Sequence, residues 1–177
     1  MEAGSLSALV EAVLRRAWRR DSPWHGEIHW RCVAATGLAL ASGDERIDRC
    51  FVFCFGLLHD TRRQNEAVDP GHGPRAAALA AGLRDDGVLA LGDAAFSDLT
   101  VALRLHSDGQ VSAEPTIGTC WDADRLHLPR VSIVPDPAFL STPAARAPER
   151  LSEADALRKA GPPEWEELVE LVSASRV

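Results

Sequence analysis

The chain has 177 residues, of which 46% are hydrophobic and 25% are charged, a balance typical of one globular domain that can bury a core. Its formal net charge of −7 argues against long nucleic acid as the main partner, because such binding needs many phosphate contacts from a basic surface. The sequence shows neither an apolar stretch long enough for a membrane helix nor the ordered regions of a signal peptide. We therefore expect a cytoplasmic protein without membrane contact, whose oligomeric state the composition leaves open.

The first predicted element is an N-terminal helix. The apolar residues that recur there at steps of three and four are Leu6, Leu9, Val10, Val13, Leu14 and Trp18. This spacing predicts an amphipathic helix over residues 5–20. The arginines near its predicted end are Arg15, Arg16, Arg19 and Arg20. Cations suit the carboxyl end of a helix, and we interpret this group as solvated surface.

A second helix carries His29 and leads to a central, more apolar helix. Val33, Thr36, Gly37 and Leu40 follow His29 at helical spacing, so the histidine lies on the face that points to the core. Residues 47–58 (IDRCFVFCFGLL) are apolar nearly all round, which predicts a helix wrapped by its neighbours.

His59 and Asp60 end the central helix. Adjacent helical residues lie about 100° apart around the axis, so both can reach one ion only if it lies close to the helix end.

Two more helices are predicted to follow, each next to a histidine. Pro74 needs no partner for its missing donor at the first helical position, so a helix beginning there would place His72 just before it. The members of the next helical face are Phe96, Leu99, Leu103 and His106. That helix should stop at Ser107-Asp108-Gly109, where glycine can adopt the left-handed cap. Helices could thus deliver several polar side chains to one point.

The C-terminal part is rich in proline. Residues 135–163 hold six of the eleven prolines, which predicts a loop-rich wrap over residues 131–163 with a short helix near residues 152–159. A last helix is expected at residues 164–174. Residues 131–134 are interpreted as extended loop, because no partner strand is evident. The predicted fold is all-α, a single-domain helical bundle over residues 1–177 with its core at about residues 22–130.

The ordered set of histidines and aspartates is the strongest functional signal. Its members are His29, His59, Asp60, His72, His106 and an aspartate, Asp122 or Asp124, in the run Trp121–Leu126. Histidine and carboxylate side chains hold the divalent metals that perform hydrolysis at neutral pH. Any one of them could be an ordinary core or surface residue. Their order along predicted helices indicates a metal site.

This pattern, H…HD…H…H…D, resembles that of the HD-domain superfamily of metal-dependent phosphohydrolases, an all-helical fold. The run His29-Trp30-Arg31-Cys32-Val33 is similar to the family's first-histidine helix, although its arginine comes one position early. The His59-Asp60 pair resembles the doublet that names the family. Asp124, within Ala-Asp-Arg-Leu, resembles its last ligand, with Asp122 as a rival.

His72 and His106 are similar to the two histidines that family members with two metals add, and the resemblance covers roughly residues 25–130. It implies hydrolysis of a small phosphate ester, such as a nucleotide, by metal-activated water. A single ion would take His29, His59, Asp60 and Asp124 as ligands. With two ions, Asp60 would bridge them, and His72 and His106 would complete the second. Mn, Fe, Co, Ni, Zn and Mg all stay open as the metal.

The polar segment after the doublet supplies candidates for catalysis. Arg62 and Arg63 could hold phosphate oxygens through their forked donors. Glu66 or Asp69 could transfer a proton, a role that the resemblance implies for acidic residues there. The alternative is a solvated loop in which these arginines and Glu66 pair with each other.

Further substrate-binding candidates are His25, Arg75 and Arg125. His25 would share the face of His29 if the helix already includes it, but a surface histidine at a helix start is the plainer interpretation. Arg125 could instead be tied to Asp122 in a structural role.

Three other functions compete with a phosphohydrolase. A diiron oxygenase can use the same six ligands, although the chain contains no tyrosine, a residue that gates the substrate in oxygenases of that type. A non-catalytic module could bind a nucleotide as a sensor. A thiol enzyme using Cys120 is more remote, because nothing local activates its sulfur. We expect Cys32, Cys50, Cys54 and Cys120 to be buried thiols.

Overall fold

Apolar residues at helical spacing dominate the chain, and the computed structural model, which describes residues 2–174, folds these stretches into α-helices. In chain order they are α1 (Ala3–Arg16), α2 (Glu27–Leu40), α3 (Arg49–Leu58), α4 (His72–Asp85), α5 (Asp93–Leu105), α6 (Pro115–Arg125), α7 (Arg150–Ala160) and α8 (Trp165–Ser173). The described residues contain no strand, which confirms the all-α class. None of the helices between residues 2 and 174 combines the length and the apolar character needed to cross a membrane.

Helix α3 is the centre of the packing, as predicted. The Asp48 side chain caps its start by accepting from the backbone N–H groups of Cys50 and Phe51, a type of contact worth about 1 kcal/mol. Residues 50–58 are all buried, and α3 contacts α1, α2, α5, α6 and α8. Complete burial of a phenylalanine such as Phe53 or Phe55 contributes about 1.5–3 kcal/mol. The helix that ends in the His59-Asp60 doublet is therefore firmly held.

Two glycines let helices approach closely beside the histidines. A Cβ atom on Gly56 of α3 would lie 2.7 Å from the Cα atom of Ala34 in α2. A Cβ atom on Gly73 of α4 would lie 2.5 Å from the carbonyl oxygen of Leu103 in α5. Real Cβ atoms do not approach backbone so closely, so each contact depends on glycine. One brings α2 against α3, and the other brings α4 against α5.

Two predicted helix boundaries are wrong. Helix α1 ends at Arg16 and not near residue 20, because Ala17 is extended and the Trp18 N–H donates to the Thr61 carbonyl. Helix α4 begins at His72, two residues before Pro74. A proline is tolerated there because the N–H groups of the first helical turn have no partner within the helix.

The C-terminal helices agree with the prediction in type and place. Helices α7 and α8 lie where short helices are expected, and α8 packs against α1. Two 3-10 turns, Leu128–Val131 and Pro137–Phe139, interrupt the segment between α6 and α7. The extended loop expected over residues 131–134 is therefore found only from residue 133. The predicted last helix also covers residue 174, which lies just beyond α8.

Candidate metal centre

The six side chains of the histidine–aspartate pattern meet at one place in the interior. They form two groups, in each of which the potential ligand atoms lie within 4.8 Å of one another. The first trio is His29, His59 and Asp124, and the second trio is Asp60, His72 and His106. The most exposed of these side chains is Asp124, at 14%. This buried cluster could hold a metal ion.

Helix ends supply most of the cluster. His29 lies in the first turn of α2, and His72 is the first residue of α4. His59 and His106 are the residues that directly follow α3 and α5. Asp124 lies in the last turn of α6. The apolar helix faces build the core, and the polar groups gather where the helices begin or end.

Asp60, a member of the second trio, also lies near the histidines of the first trio. Its Oδ2 atom is 3.8 Å from the Nε2 atoms of both His29 and His59. Its Oδ1 atom is 3.3 Å from His72 Nε2 and 3.8 Å from His106 Nε2. One carboxylate thus presents a different oxygen to each pair of histidines.

Backbone carbonyls orient three of the four imidazole rings. The Nδ1 atom of His59 lies 3.0 Å from the Gly56 carbonyl oxygen, and that of His106 lies 2.8 Å from the Leu103 oxygen. His72 Nδ1 bonds to the Asp69 carbonyl in the same way. Because a carbonyl oxygen only accepts, each of these Nδ1 atoms carries the hydrogen. In a neutral ring the lone pair is then on Nε2, which faces the cluster.

Burial favours the neutral form of most of these rings. It lowers the pKa of His72 to about 4 and lowers the pKa of His59 as well. Burial also opposes the charge on His106, but its contact with the Asp60 carboxylate raises the pKa of His106 overall. The Asp60 carboxylate therefore favours the charged form of His106, whereas burial dominates at His59 and His72.

The cluster brings histidine Nε2 atoms face to face. The Nε2 atoms of His72 and His106 lie 2.7 Å apart, and those of His29 and His59 lie 3.1 Å apart. Lone pairs at these distances repel each other unless a proton or a cation lies between them. Metal–nitrogen bonds of about 2.0–2.1 Å place neighbouring ligand nitrogens roughly 3 Å apart, so the spacing suits a shared cation.

Two atoms of the first trio are unsatisfied. His29 Nδ1 and Asp124 Oδ1 are buried and make no hydrogen bond with any described residue, although His29 Nε2 lies 3.2 Å from Asp124 Oδ1. A buried polar atom without a partner costs about 1–3 kcal/mol. A cation beside Asp124 Oδ1 would remove part of this cost, so the residues present fit a bound metal.

Two arginines and a histidine surround the Asp60 carboxylate. Arg63 Nε donates to Asp60 Oδ1 over 3.0 Å, and His25 Nδ1 lies 3.0 Å from Asp60 Oδ2. Arg130 places guanidinium nitrogens 3.9 Å from both Asp60 Oδ2 and Asp124 Oδ1. Burial would raise the pKa of Asp60, but these neighbours and the cluster histidines hold it well below its usual range.

The charges of the cluster are nearly balanced before any ion binds. The two carboxylates, Asp60 and Asp124, face the two guanidinium groups of Arg63 and Arg130. A divalent ion would therefore leave surplus positive charge in a buried site. Such a site suits an anion.

The side chains of Glu66, Asp69 and Arg62, the other candidates after the doublet, have their partners outside the cluster. Glu66 accepts from Arg19 over 2.5 Å and from Ser22 Oγ over 2.7 Å. Asp69 accepts from Arg75 Nη2 over 2.6 Å and from a backbone N–H. The Arg62 guanidinium carbon lies 4.6 Å from the centre of the Trp18 ring. These side chains are engaged with partners outside the six-residue cluster.

Asp122 and Asp124, two residues apart on α6, have different surroundings. Asp122 accepts from the backbone N–H groups of Ser141 and Thr142 over 2.6 and 2.7 Å. It therefore ties the segment before α7 to α6, while Asp124 lies in the cluster. Arg125 donates to the carbonyl oxygens of Gln110 and Phe139, not to the cluster.

Sequence reasoning missed Arg130 and misjudged His25. Arg130 lies in the 3-10 turn after α6, and its Nε atom donates to the Trp24 carbonyl over 2.7 Å. No periodic pattern marks that turn, so its proximity to Asp124 in the sequence was the only available signal. His25 precedes α2, whose N-cap is Gly26, and it is buried against Asp60 instead of lying on the surface.

The chain matches no protein-family model, no curated protein and no solved structure. The fold and the cluster therefore have to support a functional assignment by themselves. They show an all-helical protein with a buried histidine–aspartate cluster that could bind metal, an arrangement compatible with an HD-type fold.

Proposed function

We propose that the protein is a metal-dependent phosphohydrolase of the HD type that acts on a small phosphate ester, such as a nucleotide. The observation that carries the proposal is the position of Asp60, whose two oxygens face two separate pairs of histidine Nε2 atoms. The Nε2 atoms of His59 and His72 face Asp60 with lone pairs instead of donors, so a cation placed between these rings and the carboxylate would satisfy both.

In this proposal two divalent ions are bound. His29, His59 and Asp124 would hold one ion, His72 and His106 would hold the other, and Asp60 would contribute to both. Bound there, the ions would supply water activated for attack at neutral pH and would neutralise charge on a phosphoryl oxygen. Histidine and carboxylate ligands suit Mn, Fe, Co, Ni or Zn, whereas Mg favours sites richer in oxygen ligands.

Arg63 and Arg130 are the phosphate-binding residues of the proposal. Each approaches an Asp60 oxygen from outside the histidine pairs, so each can also offer donors to an anion beside Asp60. The Arg130 side chain is only 7% exposed and is held by carbonyl oxygens of Trp24 and His127. This anchoring gives the guanidinium group a fixed direction before substrate arrives.

His25 is the candidate for holding a proton at the site. Its Nδ1 atom lies 3.0 Å from Asp60 Oδ2 and 3.3 Å from Arg130 Nη2, so it stands between the cluster and the proposed phosphate-binding arginine. This position replaces Glu66 and Asp69 in the proposal, since both are held by arginines outside the cluster.

A phosphate-release screen tests the function. Manganese-loaded protein is incubated with phosphomonoesters, phosphodiesters and nucleoside triphosphates, and free phosphate is measured. The parent should release phosphate from at least one class, Asp60→Ala should release none above background, and Asp98→Ala, at an exposed position of α5, should match the parent. Equal rates for the parent and Asp60→Ala would refute the assignment.

The same ligand arrangement also supports a diiron oxygenase as the second candidate. The specific observation is the bridging position of Asp60 between two trios, which fits two irons as well as two hydrolytic ions. Oxygen uptake by iron-loaded protein with small organic phosphonates or polyols measures this activity. Nucleotide binding without phosphate release or oxygen uptake would instead identify a sensor module.

A further inference from the structure

A basic cleft lies between the end of α1, the segment after α3 and helix α4. It has a volume of about 370 Å³ and is lined by Arg16, Trp18, Arg62, Arg75, Leu79 and two small residues. None of the six cluster residues lines it. The cleft is therefore a separate feature of the surface.

The lining of this cleft carries three positive charges and no carboxylate, in a chain whose net charge is −7. Arg16 pairs across the rim with Asp86 over 2.8 Å, and both side chains are largely exposed. Arg75 is held by Asp69. Arg62 makes no ion pair with any described residue and lies over the Trp18 ring. Arg62 is therefore the one arginine of the cleft that has no carboxylate partner among the described residues.

The arginines are also arranged as a unit. Arg75 Nε donates to the Arg62 backbone carbonyl over 3.0 Å, which fixes the two residues relative to each other. The stacking of Arg62 on Trp18 holds its guanidinium group at the cleft while leaving its N–H donors without a carboxylate. The Arg62 guanidinium group, held in place and without an acidic partner among the described residues, matches the oxygens of a phosphate.

We propose that this cleft binds a phosphate-bearing anion at a second site, independent of the metal centre. Arg62 provides the unpaired donors, and Arg16 and Arg75 provide further charge. This assigns Arg62 and Arg75 to anion binding away from the cluster. The proposal does not rest on the phosphohydrolase function, and either can fail without the other.

Calorimetric titration with pyrophosphate tests the site, using full-length protein freed of metal by a chelator. The parent should bind, and Arg62→Gln should bind at least about tenfold more weakly, because it loses a charged donor. Arg62→Lys should fall between them, since lysine keeps the charge but not the fork. Arg15→Gln is the matched control, because Arg15 pairs with Glu11 and does not line the cleft.

Binding must also be placed away from the metal centre. Arg130→Gln, which alters the cluster and not the cleft, should leave the affinity of the metal-free protein for pyrophosphate unchanged. The proposal is overturned if the parent shows no binding at millimolar pyrophosphate, if Arg62→Gln and Arg15→Gln bind equally, or if Arg130→Gln weakens binding as much as Arg62→Gln.

Discussion

The two trios of the cluster differ in how their side chains are held. In the second trio both histidines donate Nδ1 hydrogens to backbone carbonyls, and both rings are almost completely buried. In the first trio His59 is held in this way, but His29 Nδ1 has no hydrogen-bond partner in the described structure. Asp124 is also the most exposed member of the cluster.

This difference predicts that the two trios have different roles. Fixed rings reduce the cost of ordering a metal site, so we expect the second trio to bind its ion more tightly. Arg130 Nη1 lies 3.9 Å from Asp124 Oδ1, and the His25 ring centre lies 6.4 Å from that of His29, so we expect the first trio to face the substrate. The histidines that the sequence assigns to an optional second ion are thus the better oriented pair.

The largest expected effect is the loss of both ions in Asp60→Ala. A bridging carboxylate belongs to both sites, so the variant should retain less than one equivalent of metal and no phosphate release. Its helical content should stay close to that of the parent, because the apolar faces still form the core. Elemental analysis after loading with manganese and desalting measures the metal content, and circular dichroism measures the helical content. Two retained equivalents would show that Asp60 is no ligand.

The next prediction separates the trios. His106→Ala should lower the bound metal from two equivalents to about one, because only the second trio loses a ring. If the second trio binds more tightly, His29→Ala should lose its ion at lower chelator concentrations than the parent but keep the other. One equivalent in the parent, unchanged in His106→Ala, would remove the two-ion arrangement.

Variants of Asp122 and Asp124 test which of these two aspartates belongs to the metal site of the first trio. Asp124→Asn should reduce metal binding and activity with little change in stability. Asp122→Asn should keep the metal but lower the free energy of unfolding by about 1–3 kcal/mol, because its carboxylate accepts from Ser141 and Thr142. Metal content and chemical denaturation of both variants test this. A reversed outcome would make Asp122 the ligand.

The smallest expected effect concerns the close approach of α4 and α5. Gly73→Ala should force these helices apart, cost about 1–3 kcal/mol of stability and weaken metal binding by the second trio. Gly82→Ala is the matched control on the same helix, because a Cβ atom there meets nothing within 4 Å. That variant should be stabilised by roughly 0.5–1 kcal/mol. Equal thermal unfolding and metal content in both variants would contradict the packing argument.

Helical periodicity predicts the inward direction of two cluster histidines, whereas the choice of His72 and Asp124 rests on the resemblance to the HD-domain pattern. His29 shares a face with Val33 and Leu40, and His106 shares one with Leu99 and Leu103, so core packing carries both histidines inward. The helical class and the central position of α3 follow from the same apolar spacing.

The surroundings of the cluster could not be predicted in the same way. Arg130 lies in a 3-10 turn without periodicity, and only tertiary packing brings it to Asp60. Arg62 and Arg63 are neighbours in the sequence, yet one contacts Trp18 and the other contacts Asp60. Local sequence supplies these charged groups but does not determine their partners.

The most direct test of the central claim is anomalous diffraction from crystals grown with manganese. We expect two anomalous peaks about 3.5–4 Å apart, one beside each Asp60 oxygen. His29 and His59 should lie at one peak, and His72 and His106 at the other. Ordered density for all six side chains without any anomalous peak between them would contradict the claim.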